Sequence, residues 1–242
     1  CYRYGWIRKM GRKICHCAMI IKTEGIVINY IKYKESSIII KILTEEYGFQ
    51  SFLLNGVRSI RSKKSIGSFQ SLNVLELVAY KSSKADIYRL NEFKLLHLTP
   101  SFQIDLKKSA MVMFCTELLS KTLFHERTEN RDLYQFLKNE IIIFDQLKEE
   151  FESFHIYFSI KYASYLGFLI QSVECLLPFK ENLSSPLYIY LDNIIRSDRY
   201  ISEPTTGTLR SVALKHIINY YSRHMENFCE IKSLKILSQV FK

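Results

Sequence analysis

From Thr23 the chain runs TEGIVINYIKY, rich in isoleucine, valine and tyrosine with partial alternation of apolar and polar positions. Ser36–Thr44 (SSIIIKILT) is a second β-branched run and Phe49–Asn55 (FQSFLLN) a third. Leu72–Tyr80 (LNVLELVAY) and Ile87–Leu96 (IYRLNEFKLL) complete the set. Short runs of this kind, bounded by turn residues such as Glu45-Glu46-Tyr47-Gly48 and Gly56, predict strands. Five strands with one longer interruption (VRSIRSKKSIGSFQS, between the third and fourth) suit a small closed barrel of the OB type. Closure removes the edges that five short strands would otherwise expose. The pattern also admits another small barrel or a sandwich, and barrels of this size serve many ligands.

After Thr99-Pro100-Ser101 the period changes. Asp105–Glu126 places Ala110, Met111, Phe114, Leu118 and Leu119 near helical spacing, and Asn130–Leu147 does the same with Leu133, Phe136, Leu137, Ile141 and Phe144. Further helices are predicted over Phe151–Phe168, from Thr208 to about Arg223, and from Ser233 to the end. Residues 170–200, which hold Pro178 and Pro186, read as irregular. The fold class is therefore α+β: an N-terminal five-stranded OB-type barrel over residues 19–98, then an all-helical domain over 99–242 whose apolar stripes form its core.

Composition adds little to this until charge is considered. Apolar residues make up 48% and aromatics 14% of the 242 residues, enough for a real core and against disorder. No uninterrupted apolar stretch approaches the length of a membrane-spanning helix. The formal net charge is +10. Residues 1–18 carry five basic and no acidic residues, residues 19–98 twelve and seven, and residues 99–242 seventeen of each. The excess thus lies wholly in the N-terminal two-fifths, which points to a polyanion partner there or to a lysine-rich surface that aids solubility. The sharpest local feature is Arg58, Arg61, Lys63 and Lys64, with no acid between Gly56 and Gln70. Such a loop would meet phosphates and gain affinity by counterion release. Tyr30, Tyr33, Phe49 and Phe52 could stack on unpaired bases, although core packing is the commoner fate of a strand aromatic.

The first eighteen residues, CYRYGWIRKMGRKICHCA, lack periodicity and precede Met19, and they read as a non-native or over-called extension. Cys15-His16-Cys17 has no ligand spacing, and Cys115, Cys175 and Cys229 stand as isolated thiols, so no metal or other cofactor is expected. A P-loop, dinucleotide fingerprint, HExxH or GxSxG motif is not found, and nothing in the sequence proposes an enzyme.

The ordered features resemble the RecO family of bacterial recombination mediators. Thr23, Gly25, Ile26 and Val27 fit its T-x-G-I-V-L start; Tyr33, Glu35 and Ser37 fit a Y-x-E-x-S step; Thr44 and Gly48 fit T-x-x-x-G; Gly56 and Arg58 fit G-x-R. GSFQSLNVLEL resembles G-x-x-Q-P-x-x-x-L-E with Ser71 in the proline's place, and the ending SLKILSQVFK is similar to the family's last helix. Some members carry a four-cysteine zinc module after the Leu-Gly-Phe/Tyr step; YLGFLIQSVECLL offers only Cys175. The resemblance implies a non-catalytic, cytoplasmic, nucleoid-associated protein of the RecF repair pathway, monomeric and without membrane contact. It would bind single- and double-stranded DNA, anneal complementary strands, and help load RecA together with RecR. It would also contact the acidic, Phe-terminated tail of the single-strand-binding protein SSB. For DNA the candidates are Arg58, Arg61, Lys63 and Lys64. For the SSB tail they are Lys121 and Arg127, which flank Leu118 and Phe124 near helical spacing or else are solvated cations at a helix end. The competing classes are a small enzyme with a helical substrate-binding domain and a protein–protein adaptor.

Overall fold

A computed structural model describes residues 19–57, 66–81, 86–177 and 183–241. Five strands, β1 (Met19–Tyr33), β2 (Ser37–Thr44), β3 (Gly48–Leu54), β4 (Val74–Lys81) and β5 (Ile87–His97), close into a barrel in the order β1-β2-β3-β5-β4. The first strand begins at Met19, four residues earlier than its β-branched run suggests. It serves two neighbours: Met19–Ile26 pairs with β4, and Gly25–Tyr33 pairs with β2 across a register shift between Val27 and Asn29. Parallel pairing of Ser51–Leu53 with Ile87–Arg89 completes the ring.

The strand period of two sorts side chains between two cores. Val27, Ile38, Ile40, Ile42, Phe52 and Leu75 fill the barrel. Ile26, Ile28, Leu43, Phe49, Leu72 and Val74 point outward and are buried in the same cluster as the helices. Among the described residues seven α-helices follow: α1 (Ser101–Ile104), α2 (Leu106–Thr122), α3 (Arg131–Gln146), α4 (Phe154–Tyr165), α5 (Pro186–Arg196), α6 (Gly207–His224) and α7 (Leu234–Val240). The α4 helix is buried around almost its whole circumference, as expected of an element at the centre of a bundle.

One expectation needs correction. The stretch read as irregular contains α5, because Pro186 occupies the first turn, where its missing N–H costs nothing. The Ser185 side chain caps the helix by accepting the Tyr188 N–H at 3.1 Å, and Leu187, Tyr190, Leu191 and Ile194 bury its inner face. Pro178 and the basic segment 58–65 lie outside the described residues.

Polar contacts tie the barrel to the helices. Lys138 meets the Glu24 carboxylate at 2.5 Å, and Tyr134 donates to the same oxygen at 3.2 Å. Gln135 donates to Glu45 at 2.9 Å, and Asn29 donates to Ser120 at 2.9 Å. Beneath the last strand, buried Lys108 donates to the Phe144 and Asp145 carbonyls at 2.8 and 3.1 Å, so its ammonium caps the C-terminus of α3. Burial lowers the pKa of this lysine against the raising influence of Asp145 and Asp105.

Candidate nucleic-acid interface

Two of the barrel's acids, Glu24 and Glu45, are turned toward the helices and engaged there, while Glu76 pairs with Lys22 at 3.0 Å. Outward positions of β2 and β3 meet the connection between α2 and α3. Lys41, Gln50, Ser51, Asp86, Phe124 and Arg127 line a cleft of about 230 Å³ there, with Phe49 and Ile87. Lys41 interrupts an isoleucine run at an outward position of β2, and its ammonium donates to Ser51 Oγ at 2.7 Å. Phe124 is exposed, and the Arg127 guanidinium lies 5.4 Å from its ring centroid. Gln50 holds the connection in place by donating to the Arg127 carbonyl at 3.3 Å, and the Phe49 N–H donates to the Glu126 carbonyl at 2.6 Å. Two cations beside an aromatic face can meet a phosphate and stack a base at once.

A second basic and aromatic group sits at the tip of the β1–β2 hairpin. Tyr33 is 38% exposed there, with the Lys34 ammonium 5.4 Å from its ring centroid. Of the other strand aromatics considered for stacking, Phe52 is fully buried inside the barrel, Phe49 is buried against the helices, and Tyr30 is half-buried.

The candidate cations do not all gather. Arg58, Arg61, Lys63 and Lys64 lie outside the described residues. Lys121 and Arg127 line different clefts, because α2 ends at Thr122 and a short 3-10 turn over Leu123–His125 carries the chain away. Lys121 borders a cleft of about 450 Å³ with Met113, Glu117, Lys232 and Ile236. Its ammonium lies 3.4 Å from Glu117 and donates to the Cys229 and Glu230 carbonyls. Glu117 in turn accepts from the Lys232 and Ser233 N–H groups at 2.9 and 2.8 Å and from the Ser233 hydroxyl at 2.7 Å. Those bonds outweigh its partial burial and hold its pKa below the ordinary value. The cleft around Lys41 was not legible in the sequence, since its two walls are about eighty residues apart. The one local signal was a lysine set among isoleucines.

Among the described residues, no cluster of histidine, cysteine or carboxylate side chains is suited to hold a metal ion. Cys115 is buried, Cys175 half-buried and Cys229 exposed, all as free thiols. Among the described residues, no helix is long and apolar enough to cross a membrane.

A closed five-stranded OB-like barrel that shares its core with a helical bundle, with a cleft lined by Lys41, Phe124 and Arg127 where the two meet, defines a barrel-and-bundle protein. Family comparison narrows this class. Residues 19–99 match the family model described as Recombination protein O N terminal, and residues 103–233 match Recombination protein O C terminal. The chain belongs to this family of DNA repair proteins. It is 33% identical over 239 residues to the DNA repair protein RecO of Flavobacterium psychrophilum, covering 92% of this chain and all of that protein. It is 28% identical over 238 residues to the RecO of Flavobacterium johnsoniae, with the same coverage. Its identity with the RecO of Chlorobium limicola is 30% over 204 residues, covering 84% of this chain and 76% of that protein.

Proposed function

We propose that the chain binds single- and double-stranded DNA through its barrel, anneals complementary strands and, with RecR, helps load RecA onto SSB-coated DNA, without catalytic chemistry of its own. The observation that carries this reading is the cleft in which Lys41 and Arg127 accompany the exposed Phe124. Strand β3, which lines that cleft, leads directly into the segment carrying Arg58, Arg61, Lys63 and Lys64. Phosphate contacts from those four residues supply sequence-independent affinity, and the aromatic face receives unpaired bases.

Fluorescence anisotropy with labelled oligonucleotides over a salt series tests this. Replacing the four loop cations with alanine weakens binding to many sequences alike and flattens the log–log salt slope by up to about 0.7–0.9 per lost contact. An unchanged slope would assign the loop's charge to solubility.

The SSB tail needs cations beside an apolar surface for its acids and final Phe. Lys121 with Met113 and Ile236 offers one such cleft, and Arg127 with Phe124 offers another. Titrating a labelled tail peptide against Lys121→Ala, Arg127→Ala and the double variant identifies which one is used. Full binding by all three variants removes both candidates, and no binding by the parent chain counts against the mediator reading.

A further inference from the structure

The cleft between barrel and bundle contains one residue that phosphate binding does not explain. Asp86 lines it together with Lys41 and Arg127. An acid repels a phosphate backbone, so a surface that held DNA by charge alone would gain nothing from it. Nor does the fold call for it. Asp86 is exposed, and its carboxylate makes no hydrogen bond or ion pair among the described residues, with either of the two cations or elsewhere. Its place is set by the sheet. Ser51 pairs with Ile87 in parallel register, which puts Gln50 and Asp86 side by side where that pairing begins.

The cleft therefore combines acceptors with donors. Gln50 donates its amide N–H groups to the Tyr47 and Arg127 carbonyls at 2.5 and 3.3 Å, so its amide oxygen is left to accept beside the Asp86 carboxylate. The Lys41 ammonium spends one hydrogen on Ser51 Oγ and keeps others to give. The Arg127 guanidinium forms no ion pair with a carboxylate among the described residues and lies 5.4 Å from the Phe124 ring centroid. Phe124 is 55% exposed, more than any other described phenylalanine or tyrosine.

We propose that this cleft selects guanine among unpaired bases. Guanine alone of the four carries two adjacent N–H donors, at N1 and N2, next to two acceptors, O6 and N7. The donor pair meets the Asp86 carboxylate, the acceptors meet Lys41 and Arg127, and the ring lies against Phe124. Thymine presents a single N–H between two carbonyl oxygens, which a carboxylate repels. Adenine and cytosine each present one amino group beside an acceptor nitrogen, so neither gives a carboxylate two donors. At about 230 Å³ the cleft is smaller than the roughly 300–1,000 Å³ of sites for drug-sized ligands, which suits one base rather than a stack. The inference rests on the DNA-binding reading and adds to it a base choice at one nucleotide, while phosphate contacts elsewhere stay indifferent to sequence.

Fluorescence anisotropy with the full chain tests it. The probes are a labelled oligothymidine of about twelve nucleotides and versions with one central guanine, adenine, cytosine, hypoxanthine or 7-deazaguanine. The guanine probe should bind at least about fivefold more tightly than the all-thymine probe, and more tightly than the adenine and cytosine probes. Hypoxanthine, which lacks the 2-amino donor, and 7-deazaguanine, which lacks the N7 acceptor, should each lose part of that gain. Asp86→Asn and Asp86→Ala should remove the preference and leave binding of the all-thymine probe equal or tighter, since a repelling charge is gone. Both substitutions fall at an exposed position without bonds and should cost little stability, which circular dichroism checks. DNA binding with guanine and thymine within twofold of each other, a stronger preference for adenine or cytosine, or a guanine preference that both Asp86 variants keep within twofold overturns the base choice and leaves the DNA-binding reading standing. No binding of any probe overturns both.

Discussion

Replacing Gly48 with alanine perturbs the joint between barrel and bundle at one methyl group. Gly48 has φ +65°, where an L side chain is strained by about 1–2 kcal/mol. Space is the larger obstacle. A Cβ would lie 2.3 Å from the Thr128 carbonyl oxygen, 2.6 Å from that of Glu126 and 2.9 Å from the Thr128 nitrogen. All three are backbone atoms, so the barrel turn and the 126–128 connection must separate. Separation strains or breaks the Phe49–Glu126 and Gln50–Arg127 hydrogen bonds, each worth roughly 1 kcal/mol. The expected loss is therefore about 2–4 kcal/mol, or roughly 5–15 °C in Tm for a chain of this size. Gly56 supplies the control: its φ is +72°, but nothing lies within 4 Å of its would-be Cβ, so alanine there costs only the backbone strain. Thermal and denaturant unfolding of both variants measures the difference. A Gly48→Ala chain no less stable than Gly56→Ala would refute the close-approach argument.

Glu140 is almost fully buried, and desolvation raises its pKa from 4.5 to about 7, against the opposing hydrogen bond from Tyr157 and the charge of Lys161. The folded state thus binds an extra proton between those values, and stability falls as pH rises from about 4.5 to 7, by at most about 3.4 kcal/mol. Glu140→Gln should be close to the parent chain near pH 5 and more stable at pH 8, and a stability gap independent of pH would contradict this. Glu117→Ala should release the start of α7, seen as faster amide exchange over residues 232–240 with the barrel's exchange unchanged; equal protection in both proteins would show that the carboxylate is not the anchor. Lys41→Ala combined with Phe124→Ala should weaken single-stranded DNA more than duplex, since stacking needs unpaired bases. Equal losses on both substrates would reduce the cleft to a phosphate contact.

The strands were legible because each is a β-branched run stopped by a turn residue, and most helices because their apolar spacing is regular. The extension of β1 to Met19 was not, because Met19–Lys22 becomes a strand only by pairing with β4, fifty residues and more away. The α5 helix was missed because a proline reads as a breaker until its position in the first turn is known. Gly48 shows the reverse case. Its place in the T-x-x-x-G pattern was visible, but the reason for glycine there is the approach of residues 126–128, which no local pattern encodes. The Lys41 cleft likewise joins distant segments.

The outward face of the barrel has a consequence for how the chain can be divided. Ile26, Ile28, Leu43, Phe49, Leu72 and Val74 belong to the barrel's strands or their flanks, yet they are buried with the helices. At about 1.5–3 kcal/mol for each large side chain, uncovering them forfeits more than most domains have to lose. An excised barrel would present a contiguous oily face and should self-associate, and the helices alone would lack one wall. Melting should be a single cooperative event, and a destabilising change on either side of the seam should lower the protease resistance of both. The cleft at Lys41 and Arg127, built half from each side, therefore exists only as long as the whole chain is folded.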